Sequence, residues 1–221
     1  MDLTSIPLPV PWVVASWVIA APLAVWAMRT APWGRFADSA SVHVWYGAIF
    51  AAIVLWSLRA TVGAGFTFHL LGAAALTLIV GVPLAMIGAA VIVAASLGVQ
   101  GGLWENAAVA FLTLGALPIA VAHLVLRWSQ SRLPPNFFVY VFVAAYFGAG
   151  LSLAAGGIVG ATGLWLAGGR PAALVFGEYV PWLLYLGFGE AMLTGMIVTL
   201  AVTYRPQWVA TFDDARYIEG R

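Results

Sequence analysis

Gly63-Ala64-Gly65-Phe66-Thr67-Phe68-His69-Leu70-Leu71-Gly72-Ala73-Ala74-Ala75 opens an apolar stretch that runs on to Gly98. From Phe66 to Leu97 it holds no charged residue, and His69 is its one side chain that titrates near neutral pH. A run of this length without charge belongs in hydrocarbon. On a helix, positions 69, 73, 77 and 81 share one face, and they read His69, Ala73, Thr77, Gly81. An imidazole above small residues can pack against a neighbouring backbone and still present its ring to a shared space. At a helix entrance a lone histidine is ordinarily a hydrogen-bonding residue. On a membrane segment, however, an ionisable group is a functional candidate by default.

Composition says that the medium is a membrane. Of 221 residues, 63% are hydrophobic and 8% are charged, and the mean hydropathy is +1.00. A soluble domain carries roughly 25% charged residues, so this chain lacks the polar groups to cover itself. Its apolar runs reach the ~20 residues that a spanning helix needs, and the two-residue alternation of a barrel is missing. The expected class is all-α: a polytopic bundle of about seven transmembrane helices, in one integral-membrane domain over residues 1–217. Residues 218–221, Ile-Glu-Gly-Arg, match a common protease-cleavage linker and are set apart as a cloning remnant. The first 30 residues lack a basic leader and a small-residue cleavage site, and read as a retained span. There is no cysteine, which excludes disulfides and thiolate metal sites, and the net charge of +1 offers no surface for nucleic acid.

Hydropathy and punctuation give spans at about 9–28, 41–59, 65–81, 83–98, 105–127, 136–166 and 178–203. Gly81-Val82-Pro83 makes a tight turn whose proline starts the next arm. The run at 136–166 is too long for one upright helix, so it tilts or breaks near Gly156-Gly157. With the N-terminus outside, Arg29, Arg35, Arg127, Arg132, Arg205 and Arg216 fall on the inner side and only Arg59 and Arg170 on the outer. That partition favours N-out, C-in. Small residues four apart (Ser16, Ala20, Ala24; Gly148, Ser152, Gly156, Gly160; Gly187, Ala191, Gly195) let helices approach closely. Trp12, Trp33, Trp45, Trp104, Trp182 and Trp208 fall near span ends, as in an interfacial belt.

In this topology Met1, Asp2, His69, Glu105, Asn106 and Glu178 lie at the outer face. Glu190 lies deep in the last span with Thr194 one turn on, an intramembrane polar hub. A carboxylate at that depth is protonated, paired or hydrogen-bonded. It either relays protons or cations, or accepts bonds from neighbouring helix ends, with structure slightly ahead. His43 and His123 share a leaflet, which leaves a haem-binding redox subunit as a third reading. No phosphate-binding Gly-x-x-x-x-Gly-Lys loop, no Gly-x-Ser-x-Gly elbow and no His-Glu-x-x-His motif appears. The protein is therefore not expected to be an enzyme, and any ATP hydrolysis falls to partner subunits.

Phe68-His69-Leu70-Leu71-Gly72, with the arm through Gly81-Val82-Pro83-Leu84, resembles the His-Leu-Leu-Gly segment of CbiM/NikM type proteins. These are the substrate-capture membrane components of energy-coupling-factor importers for cobalt and nickel. Glu190-Ala191-Met192-Leu193-Thr194-Gly195, running to Tyr204-Arg205-Pro206, is similar to that family's last helix, and Ile6 to Arg29 is alike in length and character. The resemblance implies a seven-helix bundle with its N-terminus outside, in a prokaryotic inner membrane. It implies a transmembrane coupling protein and paired ATPases as partners. It also implies a divalent metal, cobalt or nickel, as substrate, held by the N-terminal amine, neighbouring groups and His69. The family has a histidine directly after Met1, where this chain has Asp2, and its asparagine-rich segment is reduced to Asn106 within Trp104-Glu105-Asn106. A carboxylate in place of imidazole moves the site toward harder ligands, so copper or zinc are alternatives. The expected ligands are His69, Met1, Asp2, Glu105 and Asn106, with no organic cofactor. The runner-up function is a structural or interaction subunit that keeps the scaffold without the metal.

Overall fold

A computed structural model describes residues 6–63 and 66–218 of the chain. Helices α1 (Val10–Thr30) and α2 (Ser39–Ser57) lead into a hairpin of β1 (Ala60–Val62) and β2 (Phe66–Phe68), with Ala60 opposite Phe68. A short α3 (Ala73–Val80) and the long α4 (Val82–Gln100) follow. Three long helices complete the bundle: α5 (Trp104–Arg132), α6 (Phe137–Leu166) and α7 (Ala172–Tyr204). A single turn, α8 (Asp214–Tyr217), closes the described chain. Six helices, α1, α2 and α4 to α7, are long and apolar enough to cross a membrane, so the protein is the polytopic all-α fold expected.

The third crossing departs from the helix expected over 65–81. Only Ala73–Val80 is helical, about 12 Å at a 1.5 Å rise, which is well short of a ~30 Å hydrocarbon core. Residues 66–72 cover the rest without helix, as strand over 66–68 and irregular backbone over 69–72. Two local causes are visible. Phe66-Thr67-Phe68 alternates buried, half-buried, buried and pairs with Ala60–Val62, which absorbs its backbone groups in a ladder. Leu71 and Gly72 then donate their N–H groups to the Glu190 carboxylate at 2.8 and 2.7 Å. Backbone at membrane depth is tolerated outside a helix only when it is satisfied in this way. His69 therefore does not share a helix face with Ala73 and Thr77.

Glycine placement sets the packing around this segment. Gly72 enters α3 at φ +67° and Gly81 leaves it at φ +84°, a left-handed backbone that glycine adopts without strain. Pro83 sits in the first turn of α4, where its missing N–H costs nothing. The central helix α6 packs on α5 and α7. It runs through Gly156-Gly157 without a break. The pair exists for contact: a Cβ on Gly156 would fall 2.5 Å from the Thr113 carbonyl oxygen, and one on Gly157 would fall 2.4 Å from Leu183 Cδ2. Gly150 meets Gly187 across the α6–α7 contact, 3.0 Å from added Cβ to carbonyl oxygen. Helices α5, α6 and α7 each contain a wide π-type stretch, at Phe111–Ala116, Tyr140–Phe147 and Val175–Tyr179.

Trp45 belongs to the core and not to an interfacial belt. It is buried, and its indole N–H donates to the Leu84 carbonyl at the start of α4. Trp12, Trp33, Trp104, Trp182 and Trp208 are exposed. The arginines segregate by end. Arg35 reaches the Val80 carbonyl, Arg216 donates to the Gln130 carbonyl, and Arg29, Arg127, Arg132 and Arg205 lie at that same end. At the other end Arg59 donates to the Trp56 carbonyl and Arg170 lies over the Phe66 ring.

Candidate metal-capture site

The end of the bundle opposite the arginine-rich one is built around the hairpin and the extended approach to α3. Phe68 of β2 stacks on Tyr179 of α7, with ring centroids 5.0 Å apart and planes within 7°, and Phe66 packs on the same ring at 5.4 Å. These contacts anchor the strand against α7, so the next residue enters a fixed position. That residue is His69, 7% exposed, with its ring 4.7 Å from Trp56 of α2. Trp56 is fixed in turn, because its indole N–H donates to the Leu71 carbonyl at 3.0 Å. One tryptophan thus flanks the histidine and holds the backbone two residues on. Around it Arg59 spans from the Trp56 carbonyl to Ser96 Oγ, and Gln100 donates to the same carbonyl at 3.2 Å.

His69 Nδ1 lies 3.1 Å from the Leu70 carbonyl oxygen. A carbonyl only accepts, so the ring nitrogen facing it carries a proton, and in the neutral ring the lone pair is then on Nε2. This arrangement is the one metal-binding imidazoles use: one nitrogen donates to a backbone carbonyl and the other serves as ligand.

Asn106 is fully buried where α5 begins, and its side-chain amide donates to the Ile6 carbonyl at 2.8 Å. It therefore ties the chain just before α1 to the start of α5. Glu105 differs: its side chain is exposed, and its carbonyl accepts the Trp17 indole N–H at 3.1 Å. Met1 and Asp2 lie outside the described residues. Among the described residues, no group of three or more His, Cys, Asp or Glu side chains stands within reach of one metal ion. The described ligand types at this end are one imidazole, one buried amide, the exposed carboxylates of Glu105 and of Glu178 (the latter beside Gly63 of the hairpin), and backbone carbonyls.

Glu190 lies completely buried on α7, its two oxygens divided between the N–H groups of Leu71 and Gly72. Thr194, one turn on, is also fully buried, and among the described residues its hydroxyl makes no hydrogen bond. His43 is exposed on α2 with Nδ1 2.6 Å from the Ser39 carbonyl, and His123 is half-buried on α5. The two histidines belong to different helices, α2 and α5. The residue that sequence reasoning passed over as a site element is Trp56. Its one signal was its place near the end of the second span, just ahead of the His69 segment.

A profile of the family described as "Cobalt uptake substrate-specific transmembrane region", CbiM, matches residues 6–208. No curated protein matches the sequence. Among solved structures, a truncated transition metal transporter is similar with a TM-score of 0.77 and 18% identity, over 90% of this chain and 99% of that one. A second transition metal transporter is similar with a TM-score of 0.73 and 17% identity, over 89% of this chain and 90% of the other.

Proposed function

Because the chain belongs to the CbiM family of cobalt-uptake substrate-specific transmembrane proteins, we propose that it is the substrate-capture membrane subunit of a transition-metal importer. The single observation that carries this reading is His69. Its imidazole is nearly buried beside Trp56, with Nδ1 committed to a backbone carbonyl. An imidazole held by Nδ1 at a backbone carbonyl is oriented as metal-binding imidazoles are, yet one imidazole binds no divalent ion tightly. The Met1 amine, the Asp2 carboxylate and the Asn106 amide oxygen complete the proposed set, and the exposed Glu105 carboxylate lies at the rim. The Asn106 bond to Ile6 supports this arrangement, since it draws the chain just after Met1 and Asp2 to the start of α5.

Amine and imidazole bind metal only when deprotonated, so affinity falls as the pH drops. With the arginine-rich end facing the cytoplasm, the site opens outward, the N-terminus is outside and the protein is a multi-pass protein of a prokaryotic inner membrane. A transmembrane coupling protein and ATPase subunits of the energy-coupling-factor type would then supply the driving force. The ion is cobalt or nickel by family, and an oxygen ligand from Asp2 makes zinc or copper the competitors.

The test is calorimetric metal binding by wild type, His69→Ala and a chain extended before Met1. Both changes abolish binding if the site is as proposed, and Asp2→His strengthens binding of nickel or cobalt. Wild-type affinity in His69→Ala overturns the reading. Absence of binding in every version points to the metal-free scaffold subunit instead.

A further inference from the structure

At the arginine-rich end, α2 and α7 splay apart over Ile79 and leave a groove of about 580 Å³. That volume lies within the range of small-molecule sites, roughly 300–1,000 Å³. The walls are Val44, Gly47 and Ala48 of α2 and Ile197, Leu200 and Ala201 of α7. Polar atoms come only from His43, Tyr204, Arg205 and Trp208 among the side chains lining it. Ala40, Val44, Ile79 and Trp208 also line a second, smaller cleft of about 80 Å³, whose other walls include Arg35, Ser41 and Gln207. An apolar groove and a polar cleft thus meet over the same four side chains.

Two cations flank the junction. Arg205 lies over the Trp208 ring, 5.8 Å from its centroid, and has no carboxylate partner among the described residues. Among the described residues the Arg35 guanidinium hydrogen-bonds only the Val80 carbonyl, at a long 3.5 Å. Asp38 also lines the polar cleft, so the junction carries two guanidinium groups against one carboxylate. That carboxylate caps α2 by accepting from the N–H groups of Ala40 and Ser41 and from the Ser41 hydroxyl.

From this juxtaposition we propose that the α2–α7 groove is a binding site for one anionic phospholipid. An acyl chain lies along Val44, Gly47 and Leu200, and the phosphate sits between Arg35 and Arg205. The occupant is argued from shape and charge. An amphiphile is the molecule that fills an apolar groove continuous with a polar junction of net positive charge, and the surrounding bilayer supplies it. Exposed arginines at a membrane surface each add attraction for anionic headgroups, and Trp208 at the mouth suits the headgroup level.

Retained lipid is measured by native mass spectrometry on full-length protein from bilayers of mixed phosphatidylglycerol and phosphatidylcholine. Wild type is expected to retain one phosphatidylglycerol with a preference on the order of tenfold. Arg35→Gln/Arg205→Gln should lose the preference while still binding lipid. Gly47→Phe, at a position where an added side chain meets open space, should lose the bound lipid altogether. Gly98→Phe, equally open but on α4, should behave as wild type and show that a new phenylalanine alone has no effect. Equal retention of both lipids by wild type means annular lipid only and overturns the proposal. So does a Gly47→Cys variant that cross-links to a partner helix in the assembled transporter and carries no lipid. The chain has no other cysteine, which makes that reading unambiguous.

Discussion

Glu190 of α7 holds Gly72 at the entrance to α3: one carboxylate oxygen accepts the Gly72 N–H at 2.7 Å while the other accepts that of Leu71 at 2.8 Å. A side chain thereby does the work of the missing preceding helical turn. Both oxygens are acceptors, so the site needs two acceptors. Glu190→Gln supplies one oxygen and one amide that can only donate, and Glu190→Leu supplies neither. Each buried N–H left unsatisfied costs about 1–3 kcal/mol. Thermal stability in detergent should therefore rank wild type, Gln, Leu, with clear gaps. A glutamine variant as stable as wild type would mean that one of the two bonds contributes nothing.

Gly72→Ala tests the backbone at the same junction. An added Cβ there meets only Leu55 Cδ2, at 3.6 Å, so space is not the obstacle. The φ of +67° is, at roughly 1–2 kcal/mol for a residue with a Cβ. Gly98→Ala, inside α4 with open space around it, should gain about 0.5–1 kcal/mol. Melting of the two variants in the same detergent should move in opposite directions, and a shared direction would rule out the conformational account.

The neighbouring glycines of α6 should differ from each other. Gly156→Ala drives a methyl into the Thr113 carbonyl and Pro118, a backbone surface that yields only if α5 shifts. Gly157→Ala meets Leu183, whose side chain can rotate. The expected cost is about 1–3 kcal/mol for Gly156→Ala and less for Gly157→Ala, read from denaturation midpoints. Equal losses would show that α5 and Leu183 are equally yielding.

Orientation is open to direct measurement. Reporter fusions near residues 33 and 130 should read cytoplasmic and those near 62, 102 and 170 external, as the proposed inward-facing arginine-rich end requires. An external signal near 130 inverts the bundle and removes the outward position of His69.

Much of this architecture was legible in the residues. The long apolar runs and the Gly81-Val82-Pro83 turn were enough to place the spanning helices, because hydrocarbon leaves few alternatives. The third crossing was misread as one helix because hydropathy is blind to where backbone groups find partners. Phe66-Thr67-Phe68 carried the alternation of a strand, but its apolar surroundings masked it. The contact that decides the matter joins residues 72 and 190, a separation of 118 positions, which no local pattern encodes. Trp45 was misplaced for a similar reason: it lies near a span end, but the Leu84 carbonyl claims it. His69 stood out because an ionisable side chain in such a run is rare, whereas its tautomer follows only from the position of the Leu70 carbonyl. Met1 and Asp2, expected as ligands, lie outside the described residues.

At its far end α3 is held by chain that comes much later. The Ala210 N–H donates to the Ile79 carbonyl at 2.8 Å, and the Thr211 hydroxyl donates to the Leu78 carbonyl at 2.8 Å. An eight-residue helix has too few turns to persist alone, and its two fasteners, Glu190 and Thr211, are synthesised more than a hundred residues after it. During biogenesis the segment from Phe66 to Val80 must therefore wait, unsettled, while α4 to α7 are inserted. A ribosome-stalled chain truncated before Glu190 should leave this segment open to protease, and protection should arrive only with the final helix and the tail behind it.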